Sequence, residues 1–222
     1  DTPAAQQPDE ALRASCKKII EFHLPKTQIL WNCIAAMPSK YPLQAKYGWH
    51  PAMFQQLLQL INDNSERFNV IHIEHIRGVI FGEKLKSSSI TPPIPVVWDS
   101  VDSIAYLFQQ AAKQHPSFAR RVFLNWEARR TARYEPQVVE YFEHAIITSE
   151  KDRQHFLAAN SALAQKMSVL PNGVDLEYFS KGESQREAKT LVISGKMSYH
   201  ANEKVVLRLL CEMMPLIWQK DA

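Results

Sequence analysis

Four short apolar runs, 69–73, 94–98, 144–148 and 166–170, recur between longer stretches of helical periodicity. That alternation constrains the fold more than any other feature of the chain. Apolar strands separated by helices imply a parallel sheet joined by crossovers. The expected fold is therefore α/β, with a doubly wound, mostly parallel, Rossmann-like sheet. The helical stretches are read at 10–18, 26–37, 51–61, 80–86, 102–115 and 117–143, the last interrupted near Pro136. In 51–61 the spacing of Met53, Phe54, Leu57, Leu58 and Ile61 gives one apolar face. Asp102 or Ser103 can cap one helix, and Ser149 with Asp152 forms a start signal close to a capping box. Residues 19–24 read as an additional strand.

The chain has 222 residues, 45% of them hydrophobic, enough for one substantial core. Residues 1–10 are polar and unlike a signal peptide, and no apolar run reaches the roughly 20 residues that cross a bilayer. A cytoplasmic location is expected, with the inner membrane face left open. Both ends read as cuts in a longer chain. Cys16, Cys33 and Cys211 are too few and too scattered for a disulfide framework or a zinc site, and are expected as buried small hydrophobes. A net charge of +3 is too weak to argue for nucleic acid, and with no basic tail or aromatic-interleaved basic stripe no nucleic-acid partner is expected. The glycines form neither a dinucleotide fingerprint nor a phosphate-binding loop, which disfavours a dehydrogenase or an ATPase.

In a doubly wound sheet, ligands bind beyond the carboxyl ends of the strands. Four places qualify. After the first run come Glu74, His75 and Arg77; His75 and Arg77 can face a cleft or simply sit at the surface. His72 and His75 lack a third ligand, so no metal is expected. After the second come Asp99, Ser100, Asp102 and Ser103, which can orient sugar hydroxyls or accept a proton, or merely cap a helix. Ser149 opens a helix after the third, where capping is the simpler role. Gly195 and Lys196 follow the run 190–194 and suit a diphosphate leaving group, the glycine through close backbone approach and the lysine through its charge. Arg120, Arg121, Arg129, Arg130 and Arg133 lie on one long helix. They can meet anionic lipid or a phosphate-bearing acceptor, and are expected first as a solvated face balanced by Glu127 and Glu135.

Pro171-Asn172-Gly173-Val174-Asp175 with Phe179, followed by the Gly-ended run at 190–195, resembles the interdomain crossover of two-domain GT-B glycosyltransferases of family 4. Further matches run along the chain: 42–44 with Tyr47, 70–74, 99–103, 133–135, 148–150 and 195–202. The resemblance implies a GT-B N-terminal, acceptor-side domain over 1–180, a linker at 181–188, and the first strand and helix of a second Rossmann-like domain over 189–222. It implies a retaining transferase moving a sugar from a nucleotide-sugar to a glycan or lipid-linked acceptor, with no metal cofactor. By the same resemblance, Asp99 and Asp102 are the catalytic candidates, and His75, Arg77, Ser100, Ser103 and Ser149 belong to the acceptor side. Gly195 and Lys196 belong to the donor side. A histidine common in the family falls at Val101, so that role is not carried over. A first strand with its Gly-rich loop is expected ahead of Asp1, and the family's paired glutamates beyond Ala222, leaving the fragment inactive. A sugar-nucleotide epimerase of the same fold and a non-catalytic interaction module are the alternatives.

Overall fold

The computed structural model describes residues 10–63, 67–88, 90, 93–180, 189–197 and 200–220, apart from the side chains of residues 10, 11, 200 and 201. The chain divides into two compact units, one ending at Gly173 and the other beginning at Val174.

In the first unit, strands β1 (Ile71–Glu74), β2 (Val96–Val101), β3 (His144–Ile147) and β4 (Met167–Val169) form one sheet in which every neighbouring pair is parallel. Helices α1 (Glu10–Ser15), α2 (Lys26–Ala36), α3 (Leu43–Lys46) and α4 (Pro51–Asn62) precede it. Between strands lie α5 (His75–Lys86), α6 (Ile104–Gln114), α7 (Phe118–Tyr141), α8 (Glu150–Ala159) and a 3-10 helix, Ser161–Lys166. This is a Rossmann-like α/β arrangement with one difference from expectation. Spatial order follows chain order, so the described strands are wound in one direction and contain no reversal. Right-handed crossovers that always step the same way put their helices on one face. The strand residues agree: the registered row Ile73, Trp98, Ala145, Met167 is buried. Alternate positions His72, Asp99, His144 and Ser168 are exposed or half-buried.

The core gathers on the covered face. Trp98 meets the Phe156 ring of α8 edge-on at 5.9 Å, and Tyr134, Val138, Val139 and Phe142 close over the sheet from α7 and its end. Helix α5 lies so close to β1 that a Cβ on Gly78 would come within 2.7 Å of Ile73 Cγ2, and one on Gly82 within 2.0 Å of Ile73 Cδ1. Two glutamates of α7 hold other helices by their starts. Glu127 accepts from the Leu43 amide of α3 at 2.7 Å, and Glu135 from the Ile104 amide of α6 at 2.7 Å. Arg130 binds α2 at its other end, donating to the Ala36 carbonyl at 2.7 Å and the Ser39 carbonyl at 3.0 Å.

Several expectations are corrected. Residues 19–24 run without a strand partner, with Glu21 and His23 exposed between half-buried neighbours and Phe22 against the His50 ring at 5.3 Å. An extended segment becomes a strand only where an edge receives it. Helix α7 continues through Pro136, because Tyr134, Glu135, Val138 and Val139 on either side of it are buried. Arg120, Arg121, Arg129 and Arg133 are exposed as expected and Arg130 is half-buried, but Glu127 and Glu135 do not balance that face, since both are buried. Cys16 and Cys211 are exposed rather than buried.

In the second unit, Asp175 caps a turn by accepting from the Glu177 amide at 3.0 Å and the Tyr178 amide at 2.9 Å. Residues 190–194 are not a strand, and Val192 is 84% exposed. No described strand of this unit offers a partner, and an unpaired strand does not form. Helix α9 (His200–Arg208) passes through a π-helical turn, Leu209–Met213, into α10 (Met214–Lys220). The wide turn precedes Pro215, whose missing N–H cannot complete the ordinary ladder. The linker at 181–188 lies outside the described residues.

Candidate functional site

Two neighbouring strands end in the same uncommon way. His75, directly after β1, has φ 63°, and Val101, the last residue of β2, has φ 62°. A left-handed backbone costs an L-residue about 1–2 kcal/mol, and a β-branched side chain suits it least. The Val101 conformation is held from both sides. Its amide donates to Asp99 Oδ1 at 3.0 Å, and its carbonyl accepts from the Thr148 amide at 3.1 Å and Thr148 Oγ1 at 2.6 Å. A register shift between Asp99 and Val101 accompanies it, so the chain turns sharply and delivers Asp102 to the strand ends.

His75 and Asp102 are half-buried and lie within one another's field. Burial, and then the Arg77 charge, push the His75 imidazole below its ordinary pKa, while Asp102 pulls the other way. Burial and the charge of Asp152 push Asp102 above the usual carboxylate range, with His75 opposing. A neutral imidazole beside a carboxylate offers a donor and acceptors together. That pairing suits the vicinal hydroxyls of a polyol. Ser149 caps α8 by accepting from the Asp152 amide at 3.1 Å, and its hydroxyl donates to the Asp152 carboxylate.

No protein-family model matches the chain, and no curated protein does.

The sequence candidates divide accordingly. His75 and Asp102 come together at the strand ends, with Asp152 as a neighbour that sequence reasoning placed only in a cap. Asp99 is separate from them. It lies within β2 on the open face of the sheet, with its Oδ2 3.7 Å from His72 Nε2. The strand was expected to end before it, and the longer ladder turns it aside. Ser100 is fully buried with its hydroxyl donating to the Asp102 carbonyl at 2.9 Å, which holds the turn. Ser103 is also buried, accepting from the Tyr106 amide at 3.3 Å and donating to Glu135 Oε2 at 3.2 Å. Its part is the cap of α6. Arg77 is exposed but engaged, donating to Gln44 Oε1 at 3.1 Å and lying 5.0 Å over the Tyr47 ring.

In the second unit, Gly195 has φ 155°, and a Cβ there would fall 2.7 Å from Asn202 Nδ2. The same Asn202 amide donates to the Lys196 carbonyl at 3.1 Å. The loop is thus clamped to α9 and leaves the Lys196 side chain exposed. Ser198 and Tyr199 of this motif lie outside the described residues. Among the described residues, no three His, Cys, Asp or Glu side chains assemble as a metal-binding group, and no helix is long and apolar enough to cross a membrane.

Proposed function

We propose that the chain is the acceptor-side part of a nucleotide-sugar glycosyltransferase resembling GT-B family 4, with the opening of its donor-side domain at Gly195 and Lys196. One observation carries the reading: the left-handed His75 and Val101, side by side at the strand ends. Strained non-glycine residues persist where surrounding contacts over-determine them, and they concentrate at functional sites. Here the strain presents the His75 and Asp102 pair to the space beyond the strands.

In this reading His75 and Asp102 orient acceptor hydroxyls. Asp102, raised in pKa, accepts the proton of the attacking hydroxyl as the glycosidic bond forms. The nucleoside diphosphate leaves with the electrons of the broken bond, and in the family that the chain resembles a basic residue at the Lys196 position meets its growing negative charge. Positioning and charge stabilisation supply the acceleration. By the resemblance, the acceptor is a glycan or a lipid-linked sugar.

Steady-state kinetics on the complete protein, with donor and acceptor varied in turn, test the reading. Lys196→Ala should lower turnover by about a hundredfold, the effect of losing roughly 3 kcal/mol of transition-state stabilisation. Asp102→Asn should lower turnover, because the amide cannot take the proton, and raise the acceptor KM. Near wild-type turnover in Lys196→Ala, or no sugar transfer from a panel of uridine and guanosine diphosphate sugars, would remove it.

A further inference from the structure

Helix α7 is apolar on two sides. Its core side carries Ala128, Tyr134, Val138 and Val139. At 100° per residue, Phe118, Val122 and Trp126 line up on the opposite side, and Arg129 and Arg133 continue that line. All are exposed, Phe118 at 73%. The Arg121 guanidinium lies 5.9 Å over Phe118, and that of Arg130 lies 4.4 Å over Trp126. Arg130 also holds the C-terminal end of α2, whose own outward edge exposes Leu30, Trp31, Ile34 and Met37. Large apolar residues clustered on an outward face mark a contact surface.

The charge around them selects the partner. From Ile104 to Arg133 the sequence has six cations, Lys113, Arg120, Arg121, Arg129, Arg130 and Arg133, and one acid, Glu127. That acid is buried on the Leu43 amide. From Phe22 to Asn62, which includes all of α2, there is no acid. Beside the stripe, Lys40, Arg130 and Arg133 line a pocket of about 320 Å³ with Ser39, Tyr134 and Gln137. Lys40 lies 3.9 Å from Glu83 and Arg130 3.8 Å from Glu127, so Arg133 leaves the lining with a net positive charge that suits a phosphate. A second copy would set cations against cations, which opposes self-pairing. Aromatic residues in line with arginines, on a helix exposed along its length, match an anionic bilayer surface.

We propose that the outward face of α7 docks on an anionic membrane, with Phe118, Val122 and Trp126 entering the headgroup region and Lys40, Arg129 and Arg133 meeting lipid phosphates. The inference is independent of the glycosyltransferase reading.

Vesicle co-sedimentation of the full chain tests it, comparing equimolar phosphatidylglycerol and phosphatidylcholine with phosphatidylcholine alone. Binding should appear on the anionic vesicles only and weaken as salt rises. Arg129→Glu with Arg133→Glu should lower the partition coefficient by about tenfold or more. Phe118→Ser with Trp126→Ser should lower it comparably, and Phe118→Ser alone serves if the double variant loses its circular dichroism spectrum. Inorganic phosphate should not compete at concentrations that match the lipid phosphate. No binding, equal binding to both vesicle types, or binding unchanged in folded variants would overturn the proposal. So would a dimer, seen in sedimentation velocity, that Phe118→Ser dissolves.

Discussion

Glu135 shows how one residue can be plain in sequence and hidden in role. Following a run of arginines on a helix it reads as part of a solvated face, yet it is 2% exposed and receives Ile104, Ala105 and Ser103. Its backbone donors are some thirty positions away, and backbone amides have no sequence signature. Val101 hides its role similarly, since a left-handed turn is ordinarily advertised by glycine or asparagine. His75, by contrast, was legible as a residue at a strand end. Burial pushes the Glu135 carboxyl up to about 8, against the three donors that favour its charged form. A raised acid makes the folded state hold its proton longer than the unfolded chain does. Its contribution to stability is therefore complete below the unfolded value near 4.5 and is lost as pH rises through about 8. Urea denaturation across that window should show wild-type stability declining, with a limiting slope of about 1.4 kcal/mol per pH unit from this group. Glu135→Gln, a neutral isostere, should remove that component; an unchanged decline would place its source elsewhere.

Among the elements, α5 depends most on what is missing from its side chains. Gly78 and Gly82 let it lie against Ile73, and the helix begins at His75, ahead of the start at 80 expected from the sequence. Gly82→Ala should destabilise the protein by about 1–3 kcal/mol through overpacking. Ile73→Val removes the Cδ1 atom that the new methyl strikes, so the double variant should recover part of the loss in a thermal or urea cycle. Additive losses would show that the helix shifts as a body instead. Elements with their own signals were legible: α4 by its apolar face, α6 and α8 by their capping serines, and the four strands by their apolar runs. Residues 19–24 and 190–194 carry similar apolar signals but remain unpaired, because strand formation is decided by a neighbour and not by propensity.

For the whole molecule, the α/β class was legible while the direction of winding was not, since strand order depends on packing between segments far apart in sequence. Every described hydrophobic residue of the core lies at or before Met167, within the first unit. A chain ended at Gly173 should therefore unfold cooperatively, with the same urea midpoint as the full chain. A markedly lower midpoint would mean that residues from Val174 onward contribute to the first core. The one-directional sheet also bears on how the chain is made. Each strand pairs with the one synthesised just before it, so β1, α5 and β2 can close as soon as Val101 has left the ribosome. β3 and β4 then add in turn to a template already in place. None of the described strands has to wait, exposed, for a distant partner still to be translated.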